Sequence, residues 1–92
     1  MNNSVKKRIA IAGDREIALQ VIKYLMEEGE FPVCLLLHSK EKSSHGPEIR
    51  QLCSCIPDEH VFYGHDFKSD KALGILKELN LDFLISIHFH YI

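Results

Sequence analysis

The chain has 92 residues, 46% hydrophobic and 26% charged, the balance of one small globular domain with a single core. A formal net charge of −2 gives no reason to expect a nucleic-acid partner or an anionic membrane surface, because phosphate binding needs clustered Lys and Arg. No apolar run reaches the roughly 18 residues of a membrane-spanning helix, Met1-Asn2-Asn3-Ser4 lacks a signal-peptide stretch, and Cys34, Cys53 and Cys55 in apolar segments point to reduced thiols and a cytoplasmic location.

In chain order, the basic cluster Lys6-Lys7-Arg8 reads as a solvated strand entry. Residues 8–12, Arg-Ile-Ala-Ile-Ala, form an apolar run that suits a strand buried on both faces and ends at Gly13. Asp14 stands at the expected N-cap of a helix. Ile17, Val21 and Leu25 repeat at four-residue spacing, as do Ala18, Ile22 and Met26, while Glu16, Gln20, Lys23 and Glu27 take the other side. Gly29 is the natural C-terminal stop. A second strand is expected over residues 31–37, with Pro32 tolerated at its start. Residues 38–45 are polar and read as a loop. Pro47 fits the first position of a short helix whose apolar side is Ile49, Leu52 and Cys53, and Pro57 ends it. Residues 60–63 make a third strand and residues 64–68 a loop. Ser69 caps a third helix with Ala72, Ile75, Leu76 and Leu79 as its buried stripe, and Asn80 closes it. A fourth strand, Leu-Asp-Phe-Leu-Ile-Ser-Ile, covers residues 81–87.

The pattern is βαβαβαβ, with no repeat, low-complexity tract or linker. Strands alternating with helices predict an α/β fold with a parallel sheet covered on both faces. The doubly wound arrangement gives strand order 3-2-1-4. Its ligand crevice lies outside the carboxyl ends where that order reverses, between strands 1 and 4. Gly13-Asp14-Arg15-Glu16 and His88-Phe89-His90-Tyr91 should then lie side by side. The fourth strand is strongly apolar, and its outer edge is expected to be uncovered, which invites self-association through that strand. We therefore expect residues 1–92 to be the front portion of a larger sheet.

Several chemistries compete for these residues. A dinucleotide site needs three glycines at the first turn, and only Gly13 is present; Ser39 and Lys40 are the residues that would meet a 2′-phosphate. If strand 4 continues, Ser86, His88 and His90 share one face and Ile87, Phe89 and Tyr91 the other. Two imidazoles begin a metal site, but a stable one needs three or four ligands, and neither the other histidines nor Cys53-Ser54-Cys55 has ligand spacing. No metal is expected, and His88 and His90 are read as candidates to line the crevice. His65-Asp66 reads as loop. A receiver-type acidic pocket needs an Asp at the end of strand 3, and residues 60–64 offer none.

The opening segment Arg8-Ile-Ala-Ile-Ala-Gly-Asp-Arg-Glu-Ile-Ala18 resembles the first strand and turn of 10-formyltetrahydrofolate-dependent formyltransferases, a family that includes methionyl-tRNA, glycinamide ribonucleotide and nucleotide-sugar N-formyltransferases. Many members read F-x-G-T-P-x-F-A there. Gly13, Glu16 and Ala18 sit where that pattern expects them, and Asp14 and Arg15 replace its Thr-Pro. The segment Leu81-Asp-Phe-Leu-Ile-Ser-Ile-His-Phe-His-Tyr-Ile92 resembles the family's fourth strand and following loop. The resemblance spans nearly the whole chain but only about the first half of the family's catalytic domain.

It implies a Rossmann-like fold and 10-formyltetrahydrofolate as one-carbon donor. The folate ring would meet the loop after strand 4, Phe89, His90, Tyr91 and Ile92, largely through backbone. A small-molecule or tRNA-borne amine substrate would lie against Gly13, Asp14 and Arg15. The family's chemistry comes from an Asn and a His in an Asn-x-His segment on the next strand and from a later Asp. No Asn follows Asn80, so no catalytic residue is assigned and this polypeptide alone is expected to be inactive. The competing readings are a non-catalytic α/β binding module and a Rossmann nucleotide-binding domain.

Overall fold

The computed structural model describes residues 7–91. Four strands, β1 (Ile9–Gly13), β2 (Cys34–Leu37), β3 (Val61–Tyr63) and β4 (Phe83–Ile87), alternate with three helices, α1 (Arg15–Glu27), α2 (Gly46–Leu52) and α3 (Asp70–Glu78). The sheet is all parallel with order β3-β2-β1-β4, as the alternation predicts. One-turn 3₁₀ segments, Asp58–His60 and Asp66–Lys68, lead into and out of β3.

The two faces are covered by different helices. Ile9 and Ile11 of β1, with Leu35 and Leu37, pack against Ala18 and Ile22 of α1 and Ile49 of α2. Ala10 and Ala12, with Cys34, Leu36 and Phe62, pack against Ala72 of α3 and the adjoining Leu79. Burial on both faces is why β1 and β2 read as continuous apolar runs rather than alternating ones. Fully burying a side chain such as Ile22 or Leu35 contributes about 1.5–3 kcal/mol, so this central layer carries most of the stability.

The helix ends follow their residues. Ser69 accepts a hydrogen bond from the Ala72 N–H at 3.1 Å, the expected cap. Gly29 at φ 81° and Asn80 at φ 52° close α1 and α3 in the left-handed region. At the other end of the sheet, the Arg8 N–H donates to the Asp82 carboxylate at 2.8 Å and the Arg8 guanidinium donates to the Leu79 carbonyl, tying the entries of β1 and β4 together. Lys6 lies outside the described residues.

Three details differ from the sequence reading. β2 starts at Cys34, just after the Val33 N–H donates to the Ile9 carbonyl at 2.8 Å, and Phe31, ahead of that first bond to β1, is 49% exposed. On α1 the stripe of Ala18 and Ile22 faces the core, whereas Ile17 is 49% exposed; the apolar arc of the helix is wider than the layer beneath it. Among the described residues β4 has one neighbour, and Phe83 and Leu84, which point to opposite faces, are 52% and 51% exposed.

Candidate functional site

The tips of β1 and β4 meet where the strand order reverses. Gly13 is in register with Ile87, and the Asp14 N–H donates to the Ile87 carbonyl at 3.2 Å. A Cβ on Gly13 would stand 2.8 Å from that carbonyl oxygen and 3.2 Å from the Ala18 Cβ. Gly13 is thus required by the close approach of two strands and a helix.

Asp14 occupies the N-cap position of α1, but its carboxylate makes no capping hydrogen bond into the helix beyond Arg15. It turns instead to the loop after β2 and accepts the N–H groups of Ser44 and His45, each at 2.7 Å. The side chain is buried, with His38 Nδ1 3.3 Å away. Burial pushes the Asp14 carboxyl up, but the N–H groups of His45, Ser44 and Arg15 and the nearby His38 ring outweigh it, and the net position lies below the usual carboxylate value. A side chain so committed shapes the crevice wall.

His38 follows Leu37, the register partner of Gly13, so it emerges beside Asp14. Its Nε2 lies 2.8 Å from the His88 carbonyl oxygen, to which it donates. With Nδ1 facing Asp14, both ring nitrogens are committed, and one imidazole links the ends of β1, β2 and β4. The sequence reading left His38 among loop histidines without ligand spacing. The signal that finds it is the parallel register, which sets positions 14 and 38 side by side.

His88 has φ 54°, which ends β4 at Ile87 and stops the alternation expected of residues 86–91. His88 points to solvent and contributes its carbonyl, whereas His90 turns back with its ring centroid 4.9 Å from that of His38. Phe89 is buried against Phe67, centroids 5.7 Å apart, and belongs to the core on the α3 side. Tyr91 is held more specifically. Its hydroxyl lies 3.1 Å from Ser39 Oγ and accepts the Ser39 N–H at 3.3 Å, and its ring stands edge-on to His65 at 4.8 Å. The hydrogen bonds from Ser39, side chain first and then backbone, lower the Tyr91 phenol below its usual value. They also occupy the serine that the nucleotide reading would reserve for a 2′-phosphate.

Between these walls lies a cavity of about 290 Å³. Asp14, Arg15, His38, Lys42, Ser44, His65, His90 and Tyr91 line it. Of the residues singled out by sequence, Asp14, Arg15, His90 and Tyr91 therefore converge. Gly13 packs beneath the cavity, Phe89 lies in the core, and Ile92 is outside the described residues. Arg15 sits at φ 73°, an arrangement disfavoured for a side-chain-bearing residue. Arg15 and His88, the two left-handed non-glycines at the sheet's tips, flank the crevice. Arg15 and Lys42 supply positive charge, and His90 and Tyr91 supply flat, hydrogen-bonding surface. The set suits binding of a polar or anionic planar molecule.

Among the described residues no group of three His, Cys, Asp or Glu side chains is placed to hold a metal ion, and no helix is long and apolar enough to cross a membrane. His65 and Asp66 serve separate ends, His65 against Tyr91 and Asp66 in the 3₁₀ turn. Cys34 and Cys53 are buried and Cys55 is exposed, all as free thiols. No family model, curated protein or solved structure matches the chain.

Proposed function

We propose that the crevice between β1 and β4 is a ligand site of the formyltransferase type, in which 10-formyltetrahydrofolate lies against residues 89–91 and an amine substrate approaches the turn at residues 13–15. One observation carries the reading: β4 runs parallel beside β1, and Arg15, His90 and Tyr91 line one cavity at their tips. Two further features support it. Residues in disfavoured backbone conformations flank the crevice, as strain does at many functional sites. The resemblance of residues 8–18 and 81–92 to the family assigns its ligands to these same two segments.

In this reading Asp14 positions the wall and Arg15 faces the amine substrate. Tyr91 and His90 offer ring surface and backbone to the folate. The donor would be drawn from a cytoplasmic folate pool. The formyl group passes to the amine through a tetrahedral intermediate that requires placed hydrogen-bond donors and a proton relay. The Asn, His and Asp that supply them in the family have no counterpart in residues 1–92, so the chain binds without turning over.

The test has two arms. Purified chain incubated with 10-formyltetrahydrofolate and a panel of amines (a sugar amine, glycinamide ribonucleotide, methionyl-tRNA) yields no formylated product. The stable analogue 5-formyltetrahydrofolate shifts the backbone resonances of Arg15, His90 and Tyr91 in a saturable way. Turnover would refute the inactive assignment. Saturable shifts of those residues with a nucleotide but not with the folate analogue would favour the nucleotide-binding module instead.

A further inference from the structure

A second cavity, of about 440 Å³, opens on the other side of the β2 tip. That is within the roughly 300–1,000 Å³ typical of small-molecule sites. Gly46 and Pro47 at the start of α2 form one wall, Gln51 and Arg50 continue it, and Lys40 and Tyr63 from the tips of β2 and β3 face them. Its lining is mainly carbon. His38 offers it ring carbon only, since both ring nitrogens are engaged on the crevice side. The wall at Gly46 is tightly built: Ser43 Oγ accepts the Gly46 N–H at 2.6 Å, and a Cβ on Gly46 would collide with that hydroxyl.

The charge on this cavity has one sign. Among the described residues Lys40 and Arg50 line it and no carboxylate does. The Arg50 guanidinium is already spent on the carbonyls of Cys53 and Ile56, both at 2.9 Å, and on the Asp58 carboxylate at 2.6 Å, so Arg50 contributes its stem. Lys40 forms no salt bridge among the described residues, and its ammonium stands 5.2 Å from the Tyr63 ring centroid. A cation beside a mainly apolar cavity with an aromatic ring in its wall recognises a flat apolar body bearing one anionic group. We propose that this cavity binds a planar aromatic carboxylate or comparable monoanion, with the ring against Tyr63 and Pro47 and the anion at Lys40. The site lacks Arg15, His90 and Tyr91 and stands independently of the crevice proposal.

Titrating the full chain with 2-naphthoate, followed by two-dimensional amide NMR, tests it. Saturable shifts are expected at Gly46, Gln51 and Tyr63, with the neutral analogue 2-naphthamide binding about two- to fivefold more weakly, the scale of one partly exposed ion pair. K40Q, a change at an exposed position, should remove the preference of carboxylate over amide while leaving the amide's affinity unchanged. Y63L should weaken both probes. Shifts that cluster on Phe83 and Leu84 of β4, an absence of saturation, or an undiminished carboxylate preference in K40Q would each overturn the proposal.

Discussion

Asp14→Ala removes one carboxylate and strands three partners. The N–H groups of Ser44 and His45 each lose a charged acceptor at 2.7 Å, and the buried His38 ring loses the group 3.3 Å from its Nδ1. A hydrogen bond to a charged group is worth about 1.5–3 kcal/mol. Ser44 is exposed, so water replaces part of that loss, and the expected cost is about 3 kcal/mol. A domain of this size has roughly 5–10 kcal/mol of stability to lose from. Urea unfolding at pH 7 with a slope of about 1.5 kcal/mol/M then predicts a midpoint lowered by about 2 M. The pH dependence supplies a second check. The folded-state value of Asp14 lies below its ordinary 3.8, so its contribution is fully present above that value and is lost as pH falls through the folded one. The gap between wild type and variant should hold from neutral pH down to about pH 5 and shrink progressively below about pH 4. A midpoint shift under about 0.5 M at pH 7, or a gap that widens as the pH falls below about 4, would show that the carboxylate does not anchor the loop.

Gly13→Ala places a methyl group 2.8 Å from a backbone oxygen that cannot move unless β1 and β4 part. Thermal unfolding should show a loss of about 1–3 kcal/mol, on the order of 10 °C in Tm, and an unchanged Tm would contradict the close approach. Ser39→Ala removes the first of the groups that lower Tyr91, so ultraviolet titration of the phenol band, assigned by subtraction against Tyr91→Phe, should move Tyr91 up toward 10.0. An unmoved titration would mean that the Ser39 hydroxyl is not its partner. Burial pushes the Cys34 thiol up to about 12, and burial, then Cys55, pushes Cys53 up to about 11. A thiol reagent should therefore label one cysteine, the exposed Cys55, in the native chain and all three in urea; two or more fast thiols without urea would contradict the packing.

The order of the strands was legible because the apolar runs at β1 and β2 are short, unbroken and separated by amphipathic helices, a pattern that leaves few topologies. The crevice followed from that order, and four of the residues placed there do meet around one cavity. Illegible were the features that depend on how a loop folds back. Nothing in the spacing of residues 38–45 says that Ser44 and His45 return to Asp14, since the polar loop gives no period to read. Nor does the apolar alternation of residues 81–87 foretell that His88 turns left-handed, exposing its own ring and bringing His90 back toward His38. The burial of the Phe89 ring was equally hidden, because only after that turn does it drop onto Phe67.

His38 is the rivet of this mouth: its ring is held by a carboxylate from the end of β1 and a carbonyl from the end of β4, while its own backbone ends β2. No wall of the opening is hinged on its own. A ligand entering the crevice meets the side chains of Arg15, Lys42 and His90 on a lining whose strand ends are tied together. Binding there should accordingly proceed in one fast step whose rate rises linearly with ligand concentration, without the plateau that a slow gate imposes.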